Sequence, residues 1–184
     1  MEQLNPQARR DAYGSKINRD HSPVLAYALP WVTIMAASLT PLLPIIAPAP
    51  IIPPLALMLL VGWRILRPGL LPMWAGAPLG LFDDMFSGQP LGSGILLFSL
   101  TLIALDLIED RFPWRAFWQD WLTASLIITL YLVIAALVSG AKITLVHAGL
   151  ILPQVLISIV LFPIIARIVS LLDRIRLLRV RRLA

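Results

Sequence analysis

Apolar residues in this chain come in long unbroken runs, and the polar residues that interrupt them come in clusters. Between Ser22 and Trp63 no charged residue occurs, and positions 24 to 46 give 23 uncharged residues in a row. At ~1.5 Å per helical residue, such a run reaches across a hydrocarbon core of ~30 Å. Charge and proline divide the rest of the apolar sequence in the same way. The pattern predicts six helices, over about 24 to 46, 51 to 66, 69 to 86, 91 to 108, 121 to 139 and 145 to 166. Short connections separate them: "APAP" at 47 to 50, "RILRPG" at 64 to 69, the glycine-rich "GLFDDMFSGQPLGSG" at 80 to 94, "EDRFPWRAFWQDW" at 109 to 121 and "SGAKIT" at 139 to 144. The expected fold is all-α, a polytopic membrane protein of six transmembrane helices. Residues 1–22 form an N-terminal tail, 23–167 the transmembrane domain and 168–184 a basic amphipathic tail.

Composition supports the membrane class. Apolar residues make up 59% of the chain and charged ones 14%, and the mean hydropathy of +0.85 lies outside the soluble range. The first apolar run is too long for a signal-peptide core and no small-x-small site closes it, so residues 1 to 22 read as a soluble tail that is not removed. Cysteine is absent, which excludes disulfides, thiolate metal sites and cysteine nucleophiles.

The 15 Lys and Arg residues set an orientation. With the N-terminus in the cytoplasm, six spans place every one of them inside except Lys142. Both termini are therefore expected to be cytoplasmic. The inside rule accounts for the isoelectric point of about 10.4 without nucleic-acid binding.

Two segments are expected at the membrane surface. Trp114, Phe117, Trp118 and Trp121 recur at helical spacing and would form one interfacial aromatic stripe. In "ARIVSLLDRIRLLRVRRLA", apolar Ile168, Leu171, Leu172, Ile175 and Leu178 share a helical face. The basic residues among and after them, Arg174, Arg176, Arg179, Arg181 and Arg182, are expected to lie on anionic lipids, each contributing ~1 kcal/mol.

Catalytic chemistry is sparse. His21 and His147 fall on opposite sides of the predicted membrane and cannot share a metal. Asp106, Glu109 and Asp110 share a helix face and read as a solvated helix end beside Arg111 and Arg115. Asp83 and Asp84 would point about 100° apart on a helix, a poor arrangement for a shared metal or an acid/base pair. They nevertheless lie near the membrane, where charge needs a partner or a wet pocket. A structural reading makes one of them a cap for a helix beginning at Ser87 or for free donors of the turn; a functional reading makes it a partner or ligand contact.

The segment "GLFDDMFSGQPLG", with "RILRPG" and the span before it, resembles the MreD family of rod shape-determining proteins: Gly80, apolar residues, Asp84, two apolar residues, Ser87-Gly88, two variable positions, then Leu91-Gly92. The similarity extends over most of residues 24 to 182. Asp83 and the proline-dense "LTPLLPIIAPAPIIPP" depart from it and leave the motif intact. The resemblance implies a compact bundle similar to the substrate-binding subunits of energy-coupling-factor transporters. It also implies a non-enzymatic scaffold, without cofactor, that binds an MreC-like bitopic protein. Through it the scaffold would help couple MreB filaments to the RodA glycosyltransferase and a penicillin-binding transpeptidase. Gly80, Asp84, Ser87, Gly88, Leu91 and Gly92 are the motif and partner-contact candidates.

The alternative is a small-solute binding or transport subunit that uses the buried aspartate to hold a cationic or polar solute. Against it stands the scarcity of polar residues in the spans, chiefly Thr33, Ser38, Thr40, Ser99, Thr101, Thr123, Ser125, Thr129, Gln154 and Ser158. The orientation can be checked directly: a reporter fused after Ala184 is expected to be active only in its cytoplasmic form, and activity outside the membrane would overturn the topology.

Overall fold

The computed structural model describes residues 19–21, 23–43, 52–111, 116–140, 145–176 and 179–181. Among them lie six α-helices: α1 Pro23–Ser38, α2 Leu55–Leu66, α3 Gly76–Ser87, α4 Ser93–Arg111, α5 Phe117–Val138 and α6 Leu145–Arg176. Each of the six predicted helices overlaps one of them, and α1 ends at Ser38, short of the predicted end at 46. A ribbon of two short strands accompanies the helices, β1 (Arg19–His21) antiparallel to β2 (Arg179–Arg181), with Arg19 opposite Arg181. This pairing brings the two ends of the described chain to one side of the bundle.

Among the described residues, two helices are long and apolar enough to cross a membrane by length and composition: α5, and α6 over Ile151–Arg176. Helices α2 and α3 are shorter than predicted. Each has 12 residues, or ~18 Å of rise against a core of ~30 Å. Proline is the cause. Pro54 immediately precedes α2, and before α3 the chain passes Gly69 at φ 78° and Pro72 in extended backbone, then a 3₁₀ turn over Met73–Ala75. The residue before a proline disfavours helix, so the chain up to Pro72 stays outside the helix, and Met73–Ala75 lead into it as a 3₁₀ turn.

Helix α6 exceeds the expectation. Its 32 residues include Pro153 and Pro163 and rise ~48 Å, running without a break across residues 167 and 168, where the basic tail was expected to begin. A proline inside a helix leaves the carbonyl four residues earlier without its donor. For Pro163 that carbonyl belongs to Ile159, and the Trp121 indole N–H donates to it at 3.0 Å. In the following turns Val169, Asp173 and Arg176 are buried while Ile168, Leu171 and Ile175 face outward.

The core forms around α2. Ala56, Leu57, Met58, Leu60, Val61, Trp63 and Arg64 are all buried, because this short helix is apolar around nearly its whole circumference and is surrounded by α1, α4, α5 and α6. The Trp63 indole donates to Thr33 Oγ1 at 3.0 Å, so the bulkiest core residue carries no unmet donor. Gln154 Nε2 of α6 donates to the Ile52 carbonyl at 2.7 Å and braces the approach to α2.

Ion pairs tie the end of the bundle carrying the carboxyl end of α2. Arg64 bridges to Asp106 and, at 3.1 Å, to Glu109 on α4. The acidic cluster therefore pairs across the bundle rather than only with the arginines following it. Arg67 donates twice to Asp173 Oδ2, at 2.9 and 2.7 Å, and Arg176 approaches Asp173 Oδ1 at 3.1 Å. The hydrogen bonds and charge of Asp173 hold the Arg67 guanidinium above its ordinary pKa. Arg67 is a base with a raised pKa, so it keeps its charge throughout the physiological range.

Helices α3 and α4 approach most closely. A Cβ added at Gly80 would lie 2.3 Å from the Gly94 carbonyl oxygen, and one at Gly76 2.7 Å from the Ser99 Cα. These glycines pack the hairpin internally and are not left free for another protein's helix. Gly80→Ala is expected to lower stability by about 1–3 kcal/mol through overpacking. Gly149→Ala, with nothing within 4 Å of the added Cβ, is expected to be neutral or stabilising by up to about 1 kcal/mol. Thermal unfolding in mild detergent distinguishes the two.

Candidate functional site

The glycine-rich segment forms the end of α3, a tight turn and the start of α4. Gly88 ends α3 in the left-handed region at φ 69°, the conformation in which glycine closes a helix at no steric cost. Gly92 follows at φ 98°. Between them Pro90 fixes the turn, and its carbonyl accepts hydrogen bonds from the Ser93 amide at 3.0 Å and the Ser93 hydroxyl at 2.7 Å.

Asp84 closes the hairpin. The Gly92 N–H donates to Asp84 Oδ2 at 2.8 Å and the Gly94 N–H to Oδ1 at 2.7 Å, while the Ser93 hydroxyl, with one proton to share between Oδ1 at 3.2 Å and the nearer Pro90 carbonyl, stands beside them. The first amides of a helix have no partner within it, and the carboxylate of the preceding helix takes two of them. Negative charge at this end also opposes the positive end of the α4 dipole. The expected capping role is thus located with a correction. No helix begins at Ser87, which is the last residue of α3; the capped helix begins at Ser93. Gly94 and Ser93 complete the arrangement, although the motif candidates stopped at Gly92. A serine-glycine pair directly before an apolar run was the available signal.

Asp83 points elsewhere, as the ~100° step between neighbours on a helix requires. It lines a cavity of about 310 Å³ at the same end of the bundle. Around it stand Ser38, Thr40, Ser87, Gln89, Tyr131 and Gln154, with Pro41, Pro53, Pro54 and Leu57 among the apolar walls. Ser38, whose hydroxyl donates to the Ile34 carbonyl at 3.3 Å, lines the cavity together with Asp83, as Gln89 does with Tyr131. The span polar residues are few, as counted from the sequence. Three of them, Ser38, Thr40 and Gln154, nevertheless converge on this one pocket.

The other expected residues are distributed. Gly80 lies in the hairpin crossing and Ser87 on the cavity wall, whereas Leu91 is 78% exposed at the tip of the turn. The aromatic stripe divides: Phe117 and Trp118 face outward, while Trp121 turns inward to Ile159. Trp114, Leu178 and Arg182 lie outside the described residues. Arg174 and Arg176 are in the last turn of α6, the second of them buried against Asp173, and Arg179 and Arg181 are in β2. Among the described residues no group of three His, Asp or Glu side chains could hold a metal ion.

Compared with known families, residues 24–175 match the model described as rod shape-determining protein MreD. No curated protein and no solved structure matches the chain.

The geometry separates the two aspartates. Asp84→Ala strands the buried Gly94 amide, at ~1–3 kcal/mol, and the half-buried Gly92 amide at less, so a loss of roughly 1–4 kcal/mol is expected. Asp83→Ala strands no backbone donor and is expected to cost less. Unfolding midpoints of the two purified variants make the comparison, and equal stability would overturn the capping role.

Proposed function

The chain belongs to the MreD family of rod shape-determining membrane proteins, and on that premise we propose that it acts as a non-enzymatic scaffold of the bacterial cell-elongation machinery. In this reading it spans the inner membrane six times with both termini in the cytoplasm. The pairing of β1 with β2 supports a common side for the termini, as does the distribution of Lys and Arg. The short helices α2 and α3 cross with the help of their non-helical flanks, and the bundle resembles the substrate-binding subunits of energy-coupling-factor transporters. The transmembrane unit covers residues 23–167, with tails at 1–22 and 168–184.

The scaffold binds an MreC-like bitopic protein and through it helps couple MreB filaments to the RodA glycosyltransferase and a penicillin-binding transpeptidase. The observation that carries this reading is the Asp84-locked hairpin. It ties α3 to α4 and leaves large apolar side chains exposed on both helices: Leu81 and Met85 on α3, Leu96, Leu100 and Leu107 on α4. A single transmembrane helix can pack against such a surface. The tip residue Leu91 extends the surface at the outer end. Arg174 and the basic residues of the tail rest on anionic lipid headgroups, whereas Arg176, expected there too, is buried on Asp173; the outward aromatics Phe117 and Trp118 lie at the interface.

Affinity purification of the tagged full chain from mild detergent, followed by mass spectrometry, tests the reading. Recovery of a bitopic MreC-like protein with wall-synthesis enzymes is expected. Asp84→Ala is expected to reduce that recovery or the accumulation of the protein, and Asp83→Ala to matter less. Recovery of ATP-binding and coupling subunits instead would assign the chain to solute capture and overturn the scaffold.

A further inference from the structure

The cavity beside Asp83 is not used by the hairpin. Asp84 is occupied by the amino end of α4, whereas Asp83 is 8% exposed and makes no ion pair among the described residues. It is also the one charged side chain among the described residues lining the cavity. A buried carboxylate without a cation is costly, and intramembrane carboxylates are ordinarily met by a charge partner or a polar pocket.

Beside the Asp83 carboxyl, the lining supplies neutral polar groups and no second charge among the described residues. Gln154 gives one of its two amide N–H groups to the Ile52 carbonyl at 2.7 Å, and its side-chain oxygen remains an acceptor. Hydroxyls of Thr40 and Ser87 add further lone pairs. The opposite wall is apolar and stiff, because Pro41, Pro53 and Pro54 have fixed φ. A volume of about 310 Å³ corresponds to ~10 waters at ~30 Å³ each. It falls at the small end of ligand pockets, which pair apolar walls with a few placed polar groups.

We propose that this cavity is a binding site for a small organic ammonium compound, its cationic head on Asp83 and its apolar body against the proline wall. The site rests on the cavity alone and does not depend on the scaffold reading; loss of partner capture would leave it standing, and its failure would leave partner capture untouched.

The probe is 1-butylammonium chloride, added to the full-length protein in mild detergent and compared with sodium butyrate and sodium chloride at equal ionic strength. Butylammonium is expected to raise the unfolding midpoint by about 3–6 °C at saturation, and the two sodium salts to leave it unchanged. Asp83→Asn removes the charge and is expected to abolish the rise. Ser87→Leu, which fills the cavity while keeping Asp83, is expected to do the same and decides the matter alone if Asp83→Asn fails to fold. The proposal is overturned by no rise in the wild-type chain, by an equal rise with sodium chloride, which would make the site one for bare cations, or by an undiminished rise in a folded variant.

Discussion

The capture of two amides of α4 by the carboxylate of Asp84 is the contact on which the architecture at one end of the bundle depends. In a membrane, backbone donors that water would otherwise satisfy must find partners within the protein. Here the partner comes from the preceding helix, so one side chain ends one helix's business and begins the next. The turn between them can then be short, and the glycines can bring the two backbones into contact. Placing Gly80 against the Gly94 carbonyl and Asp84 against the Gly94 amide are two consequences of the same approach.

The bundle is polar at both ends in different ways. At the end that bears Asp84, polar groups surround a cavity and the only charged residue lining it among those described is Asp83. At the other, charges are paired: Arg64 with Asp106 and Glu109, and Arg67 and Arg176 with Asp173. Paired charge at a buried end limits the choice of neighbours more than it adds stability, since desolvation opposes most of the Coulomb gain. Between the two ends stands α2, apolar on all sides and enclosed by its neighbours. Its shortness follows from the prolines before it, and its central place from having no polar face to turn outward.

Much of this was legible in the chain. The six apolar runs each became a helix, and the motif glycines announced tight geometry that Gly80, Gly88 and Gly92 do adopt. Less visible was which aspartate did what. Adjacent identical residues differ only by ~100° of rotation, and the direction of each depends on where the neighbouring helix stands. The partner of Arg64 was equally hidden, because Asp106 and Glu109 are some forty residues away in sequence and were read with the arginines beside them.

Hydrophobic patterning and charge placement by themselves determined that this is an all-helical membrane protein, roughly where its helices run, and which short segment is exceptional, because each of those properties is set by transfer of local residues from water to lipid. The tertiary structure decided the rest: that Asp84 caps while Asp83 faces a cavity, that Trp121 replaces a donor lost to Pro163, and that Ser38, Thr40, Gln89, Tyr131 and Gln154 meet in one pocket. Those outcomes are fixed by hydrogen bonds and close packing between residues distant in sequence, and such contacts acquire a geometry only when the helices are assembled.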